Sequence, residues 1–232
     1  MPILETINLG KIYGKKETSV HALKDANLKI NKGEFVAIIG PSGSGKSTFL
    51  HLVGGLERPS NGTIKVDGKD ICCLSDKELA RYRRQKVGFV FQQYNLIPVL
   101  NVKENIELPL KLDNKKIDKE YIDDLINLLG LNERKNHLPN QLSGGQQQRV
   151  AIARALSAKP SIILADEPTG NLDSKTTEEV MDLLKSSIKK YNQTLIIITH
   201  NENIARKADR IIWNGSTKIY NRCIHKQFKT YT

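Results

Sequence analysis

The chain has 232 residues, of which 39% are hydrophobic, and its 36 Lys and Arg residues against 25 Asp and Glu residues give a formal net charge of +11. That hydrophobic content can form a packed core and argues against a disordered chain. No apolar run approaches the roughly 18 residues that a membrane-spanning helix needs. The N-terminus also lacks the pattern of a secretion signal, so we expect a soluble protein of the cytosol.

The positive charge and the cysteines indicate no particular function. The lysines are scattered, a pattern that fits surface solvation, a nucleic-acid partner or docking beside anionic lipid. Cys72, Cys73 and Cys223 have neither the number of a disulfide framework nor the spacing of a metal site. We expect free, reduced thiols.

The chain opens with alternating, β-rich residues. Residues 3–13 and 22–30 predict strands that pair in an antiparallel sheet. Short continuous apolar runs follow, and such runs, buried on both faces, are typical of a mostly parallel sheet covered by helices. These runs are Phe35–Ile39, Val87–Phe91, Ile162–Ala165 and Leu195–Thr199.

Residues from about Asn101 to Pro139 have helical periodicity and predict a helical insertion between two strands of the sheet. Gly130 is expected to end the second helix of this insertion. Near the C-terminus, Asn214-Gly215 lies between two β-rich runs and predicts the turn of a β-hairpin. The basic tail beyond it suggests no functional residue.

The segment "GPSGSGKST", Gly40 to Thr48, joins a predicted strand to a predicted helix. This context is what a phosphate-binding G-x-x-x-x-G-K-[ST] loop requires. Its glycines allow backbone N–H groups to face phosphate oxygens, and Lys46 would reach the β- and γ-phosphates. The hydroxyl of Ser47 would bind Mg²⁺, so the segment predicts nucleotide binding.

Polar residues follow several of the predicted strands. Asp166 and Glu167 end the strand that begins at Ile162, where Asp166 would hold Mg²⁺ and Glu167 could activate a water as general base. By strand alternation, we expect their side chains to point in opposite directions. Gln92 and His200 end two further strands and could reach a γ-phosphate, its metal or the water, although either alone would be an ordinary loop residue.

Tyr13 ends the first predicted strand. Its ring could stack on a purine, and the alternative is a half-exposed sheet aromatic.

A second glycine-containing turn, "LSGGQ", precedes an amphipathic helix at Leu142–Leu156. Ser143 is a good N-cap, and Gly144 and Gly145 leave helix N–H groups open to an anion. The turn has no lysine of its own, so we interpret it as gripping a γ-phosphate that the first loop already holds.

These motifs and their order resemble those of the ATPase subunits of ATP-binding cassette (ABC) transporters. The resemblance covers nearly the whole chain. A Walker A loop alone is widespread, but "LSGGQ" in this position is highly specific. The resemblance implies an α/β P-loop NTPase fold with a mostly parallel central sheet, an N-terminal antiparallel β-subdomain and an inserted α-helical subdomain. It further implies one nucleotide-binding domain over 1–232, with the helical subdomain and signature motif at about 100–158.

The resemblance also implies the site residues. Glu167 and His200 would act in catalysis, and Ser47, Gln92 and Asp166 would bind Mg²⁺. ATP would be bound by Tyr13, by Gly40, Pro41, Ser42, Gly43, Ser44, Gly45, Lys46, Ser47 and Thr48, by Gln92, by Ser143, Gly144, Gly145 and Gln146, and by Asp173 in the D-loop.

In this family, the signature motif of one subunit completes the ATP site of a second in a head-to-tail dimer. The expected partners are therefore ATP, Mg²⁺, a second copy of the chain and an integral membrane permease. We expect no nucleic acid. The chain would lie on the cytoplasmic face of the membrane through its permease.

The segments "FQQYNLIP" and "ADEPTGNLDS" resemble the subfamily that serves macrolide export, lipoprotein release and antimicrobial-peptide resistance. Tyr94, Leu96, Ile97 and Leu100 are candidates for the groove where the permease docks, or they pack inside the helical subdomain. The chain is predicted to be an ATP-hydrolysing subunit of an exporter. The alternatives are an ATP-driven signalling module that moves no cargo and a relative that acts on DNA or the ribosome.

Overall fold

The computed structural model describes residues 2–15, 18–215 and 218–220. The strands are β1 (Pro2–Tyr13), β2 (Val20–Asn31), β3 (Phe35–Ile39), β4 (Asn61–Val66), β5 (Lys69–Asp70), β6 (Val87–Phe91), β7 (Ile162–Asp166), β8 (Thr194–Ile198), β9 (Arg210–Gly215) and β10 (Lys218–Tyr220). The helices are α1 (Lys46–Val53), α2 (Asp76–Lys86), α3 (Val102–Leu112), α4 (Lys119–Leu128), α5 (Gly144–Ser157), α6 (Ser174–Lys190) and α7 (Glu202–Ala205).

These elements form two compact units. The first unit contains the described residues up to Leu79 together with those from Thr194 onward, and the second unit is Ala80–Gln193. The predicted helical subdomain, residues 100–158, contains α3, α4 and α5. Its boundaries remain a prediction.

The first unit contains the predicted antiparallel sheet, in the order β2-β1-β4-β5. Its first two strands pair from Pro2 opposite Asn31 to Tyr13 opposite Val20. Leu4 and Leu9 of β1 are fully buried, and Thr6 is buried with its hydroxyl donating to the carbonyl of Ala26. The sequence patterns did not indicate β4 and β5, which complete this sheet.

The first unit also contains parallel strands. β3 lies between β8 and β9 and pairs in parallel with both. Val36, Ala37 and Ile38 in β3 are fully or almost fully buried, and so are the residues of β8. This continuous burial explains their unbroken apolar sequence. The phosphate loop therefore starts from the end of a strand fixed on both edges.

The second unit contains a parallel strand pair, β6 and β7, and most of the helices. Ile106 of α3, Ile122 of α4 and Ile152 of α5 are fully buried in its core. The prediction that Gly130 ends a helix is confirmed. It follows the C-cap residue Leu129 and has φ 64°, the left-handed conformation that glycine adopts readily.

The predicted turn residues of the C-terminal hairpin are wrong. β9 and β10 do pair antiparallel, but Asn214 and Gly215 lie within β9, opposite Ile219 and Lys218. Asn214 stays in the strand because its side chain is fully buried and donates a hydrogen bond to the carbonyl of Ser44. Within the basic tail, residues 216–217 and those from 221 onward, which include Cys223, lie outside the described residues.

Candidate nucleotide-binding site

The phosphate loop, Gly40–Thr48, joins β3 to α1. Gly45 caps α1 with φ 91°, and a Cβ there would collide with the carbonyl of Ala22. Gly43 also has a positive φ, 76°, but a Cβ there would meet no atom within 4 Å. Packing against Ala22 therefore requires a glycine at position 45. No protein atom occupies the space beside Gly43, which leaves room for a phosphate.

The ammonium of Lys46 lies over this loop. Its Nζ donates hydrogen bonds to the carbonyl of Gly40 at 2.9 Å and to the carbonyl of Pro41 at 2.8 Å. A flexible lysine can exchange such carbonyl partners for phosphate oxygens. Of the other predicted residues of the loop, Pro41, Ser42 and Ser47 are exposed, Thr48 is half-buried and Ser44 is buried.

Tyr13 belongs to a polar cluster at the end of β1. Its hydroxyl donates to Glu57 at 2.5 Å, and its ring lies 5.0 Å from the Nζ of Lys11. Partial burial, followed by the bond to Glu57, raises the pKa of Tyr13, and a hydrogen bond with Thr48 opposes that shift. Tyr13 remains 39% exposed, so its ring is tied to the end of the phosphate loop while keeping surface for a ligand.

His200 lies at the same sheet edge as the phosphate loop. Ile38 of β3 pairs in parallel with Ile198 of β8, so Gly40 and His200 each follow that pair by two residues. His200 is exposed. The register thus places the backbone of His200 at the sheet edge where the loop begins.

In the second unit, the ends of β6 and β7 bring the other polar residues together. Phe91 is paired with Asp166, so Gln92 and Glu167 are the first residues after two neighbouring strands. Glu167 has φ 45° and lies outside β7. The alternation argument for opposite side chains therefore does not apply to it, because a left-handed residue breaks the pleat.

Gln92 is bonded to the segment that follows β7. Its Nε2 donates to Oδ1 of Asn171 at 3.2 Å, and Nδ2 of Asn171 donates back to the carbonyl of Gln92 at 3.1 Å. The side-chain oxygen Oε1 of Gln92 takes no part in these two bonds, and an amide oxygen is a donor that Mg²⁺ or Ca²⁺ can use.

The signature turn forms a capping box at the start of α5. Oγ of Ser143 accepts from the N–H of Gln146 at 3.3 Å, and Oε1 of Gln146 accepts from the N–H of Ser143 at 2.9 Å. This confirms Ser143 as the N-cap. The glycines also allow close packing, since a Cβ on Gly144 would lie 2.7 Å from the Tyr94 hydroxyl and one on Gly145 would collide with Thr176.

Sequence reasoning missed Gln148. This fully buried residue of α5 donates from Nε2 to the carbonyl of Pro168 and, at 3.4 Å, to that of Phe91. It thereby links the segment that follows β7 to the last residue of β6. Gln148 lies three residues after buried Gly145 and four before buried Ile152, so helical spacing could have revealed it.

Asp173 caps α6. Its carboxylate accepts from the N–H of Thr176 at 3.0 Å and from the Thr176 hydroxyl at 2.6 Å. These bonds, the hydroxyl first, lower the pKa of Asp173 below its ordinary value. The residue that was predicted to bind nucleotide therefore also has a clear structural role.

A cavity of about 280 Å³ opens in the second unit near the segment after β6. Its walls include apolar side chains, Phe89, Leu108 and Leu112, and the guanidinium of Arg154. Arg154 also donates to the carbonyls of Asn95 at 2.6 Å and Tyr94 at 2.9 Å. The cavity wall is therefore bonded directly to that segment.

The residues predicted for a docking groove follow Phe91, which lines this cavity, but they do not line the cavity themselves. They are half-buried at Tyr94, Leu96 and Leu100, and Ile97 is 39% exposed. None of the four is fully buried.

Two features concern membranes and metals. Over residues 2–15, 18–215 and 218–220, no helix combines the length and apolarity needed to cross a bilayer. The same residues hold no group of three or more His, Cys, Asp or Glu side chains arranged to hold a metal ion.

Comparison with known proteins places these features in a family. The family model described as ABC transporter matches residues 23–170. The ATP-binding protein MJ0796 of Methanocaldococcus jannaschii is 51% identical over 213 residues, which cover 89% of this chain and 90% of the relative. A solved post-hydrolysis structure of MJ0796, a dimer bound to ADP and Pi, aligns with a TM-score of 0.84 at 46% identity and covers 93% of this chain and 96% of that chain.

Two further relatives carry transporter names. The lipoprotein-releasing ATP-binding protein LolD of Geobacter metallireducens is 45% identical, covering 90% of this chain and 94% of LolD. The bacitracin export ATP-binding protein BceA of Halalkalibacterium halodurans is 42% identical, covering 97% of this chain and 90% of BceA.

The fold and the phosphate loop define a P-loop ATPase. The chain belongs to the ABC transporter family, as an ATP-binding subunit with ATPase activity. The resemblance drawn from the sequence, including its export-type subfamily, is confirmed.

Proposed function

We propose that this chain hydrolyses MgATP between two copies of itself arranged head to tail, and that it thereby powers an export-type membrane permease. The main support is the start of α5, where an exposed Ser143 and two glycines precede a helix in a chain that already has a complete lysine-bearing loop. A second phosphate-binding turn is useful if it serves a partner copy, with each chain giving both halves. The dimeric ADP-bound and Pi-bound relative fits this arrangement.

The phosphate loop would supply most of the nucleotide affinity. N–H groups of the loop and the start of α1 attract phosphate oxygens, and Lys46 adds a mobile charge. Tyr13 would stack on the adenine. Ser143, Gly144, Gly145 and Gln146 of the partner copy, together with Asp173, would complete the site at the γ-phosphate.

A magnesium ion fits the donors that this chain offers. Mg²⁺ keeps several waters and is commonly held by one or two side chains plus phosphate oxygens. That preference agrees with the absence of a three-ligand cluster among the described residues. Ser47, Gln92 and Asp166 would hold the ion, which when bound neutralises developing charge on the phosphates.

Glu167 would accept a proton from the attacking water, as a general base, and His200 would orient the γ-phosphate. Loss of the γ-phosphate removes the contacts that join the two copies. Hydrolysis would therefore reopen the dimer and deliver a mechanical step to the permease.

The cavity near the segment after β6 is the proposed permease-docking surface, defined by Phe89, Leu108, Leu112 and Arg154. Its mixed apolar and basic walls suit a short amphipathic segment that carries an acidic residue. Arg154 connects that surface to the carbonyls of Tyr94 and Asn95. Docking would hold the chain at the cytoplasmic face of the membrane.

Transport is favoured over signalling because the named relatives release lipoprotein or export bacitracin. No nucleic-acid partner is proposed.

Dimerisation of a slow variant tests the central proposal. Glu167→Gln should bind MgATP, hydrolyse it slowly and elute as a dimer in size exclusion with light scattering, while the same variant with ADP elutes as a monomer. Adding Lys46→Ala to this variant should abolish the dimer, since ATP is no longer held. A strictly monomeric Glu167→Gln chain in saturating MgATP would overturn the proposal.

The docking surface needs a separate test. Leu112 lines the cavity and is 62% exposed, so Leu112→Glu should weaken assembly with the permease without changing ATP affinity. Leu56, which is 45% exposed in the first unit, gives the matched control Leu56→Glu. Reconstitution with the permease in vesicles would measure both. Equal loss in the two variants would argue against this surface.

A further inference from the structure

Asn214 is a fully buried polar residue beside the phosphate loop. β9 runs parallel to β3 with Trp213 opposite Ile39, so Asn214 follows at the point where β3 leads into Gly40. Trp213 is 42% exposed, and alternation along the strand turns Asn214 inward. None of the roles proposed above involves this residue.

Both the side chain and the backbone of Asn214 meet the loop. Its Nδ2 donates a hydrogen bond of 2.9 Å to the carbonyl of Ser44. Its carbonyl lies so close to Gly40 that a Cβ at position 40 would collide with it. Asn214 therefore contacts the loop at its first residue and again just before α1.

The bond to Ser44 fixes the direction of a neighbouring donor. The carbonyl of Ser44 and the N–H of Gly45 belong to one planar trans peptide, in which the two groups point in opposite directions. Because the carbonyl is directed at the buried amide of Asn214, the N–H of Gly45 is directed away from β9. We propose that Asn214 is a positioning residue that orients the Gly45 N–H for the nucleotide phosphates.

The unsatisfied atoms around Asn214 support this role. Oδ1 of Asn214 and Oγ of Ser44 are buried without a hydrogen-bond partner among the described residues. Burying an unpaired amide oxygen is unfavourable, and an apolar side chain at the same inward position would avoid it. The benefit of an amide here must therefore come from its Nδ2 bond to the loop.

Two substitutions separate this role from simple packing. Asn214→Leu keeps the branching and the number of side-chain heavy atoms and removes the donor. It should raise the dissociation constants of ATP and ADP by about tenfold, the scale of one lost hydrogen bond at a charged ligand. Ile212→Val trims a fully buried side chain of the same strand without touching the loop. It should lower stability and leave both dissociation constants unchanged.

Asn214→Asp adds a second readout, the pH dependence of nucleotide affinity, which would not change if Asn214 served only in packing. The carboxylate cannot donate to Ser44, so affinity should fall at pH 8. Burial favours the protonated acid, which can donate, and affinity relative to the native chain should therefore recover at pH 6. Calorimetry on the full chain at both pH values measures this, and it carries the test if Asn214→Leu does not fold.

Native ATP affinity in Asn214→Leu, or an equal loss in Ile212→Val, would overturn the inference. A pH-independent loss in Asn214→Asp would do the same. The inference depends on nucleotide binding by the phosphate loop, and not on the dimer or the permease. A native chain that fails to bind ATP would count against the ATPase function instead.

Discussion

Gln92 and Asn171 hold each other through two hydrogen bonds, one between the side-chain amides at 3.2 Å and one from Asn171 to the backbone carbonyl of Gln92 at 3.1 Å. The pair joins the segment after β6 to the segment after β7. A Cβ on Gly170 would lie 2.6 Å from Nε2 of Gln92, so the Gln92 side chain also packs closely against Gly170. Movement of one segment must therefore break these bonds or move the other segment.

Replacing Asn171 with alanine should weaken this connection without unfolding the protein. Both bonds are exposed, so the free energy of unfolding should fall by no more than about 1 kcal/mol. ATP affinity should stay native, because Asn171 is outside the phosphate loop. Stimulation of ATPase activity by the reconstituted permease should drop severalfold. Asn203→Ala, at an exposed position in α7, is the control, and equal stimulation in both variants would refute the prediction.

Gly43 and Gly68 form a matched pair for testing the phosphate loop. Their φ values are 76° and 75°, and a Cβ on either would meet no atom within 4 Å. Alanine at either position should therefore cost a similar amount, about 1 kcal/mol, in the free energy of unfolding. Only Gly43→Ala should also weaken ATP binding, by at least tenfold, because its methyl group would occupy space that the phosphates need.

Urea unfolding and calorimetry would measure the two effects in parallel. If Gly43→Ala bound ATP as tightly as Gly68→Ala, the open space beside Gly43 could not be the phosphate site.

The elements that were predicted correctly depend on residues close to one another in sequence. The strand Phe35–Ile39 and the loop after it were predicted from a continuous apolar run and a motif, because buried parallel strands are typically apolar throughout. Ser143 was identified as an N-cap for the same reason, since its partner Gln146 is three residues away.

What was missed depends on residues distant in sequence. Asn214 was interpreted as a turn residue, and its true partner, Ser44, is 170 residues away. Gln148 bonds to carbonyls 20 and 57 residues away. Helical spacing could have placed Gln148 on a buried face, but no local pattern contains the partners of either amide, because they are tertiary contacts.

Asp173 should make the stability of the protein depend on pH in the acid range. Its folded pKa lies below the ordinary 3.8, chiefly because of the Thr176 hydroxyl. A depressed carboxyl pKa contributes stability above the unfolded value, and this contribution is lost as the pH falls through the folded pKa. Asp173→Asn keeps a capping side chain but cannot titrate, so the loss between about pH 5 and pH 3 should be smaller in that variant.

Urea unfolding at pH 6 and pH 3.5 would measure this difference, with Asp182→Asn on the same helix as the control. Thr176→Val should reproduce part of the effect, because it removes the first cause of the shift. Parallel pH profiles for the native chain and Asp173→Asn would contradict the prediction.

Replacing Glu167 with glycine should relieve backbone strain and abolish most of the ATPase activity. Its φ of 45° is unfavourable for a side chain with a Cβ, by about 1 kcal/mol, and glycine would remove that strain. Glu167→Gly should therefore be more stable than Glu167→Ala, while both lose at least about 100-fold in ATPase activity because no general base remains. Asn192→Gly, at φ 49°, is the control that should keep full activity. Native turnover in Glu167→Gly would mean that another group activates the water.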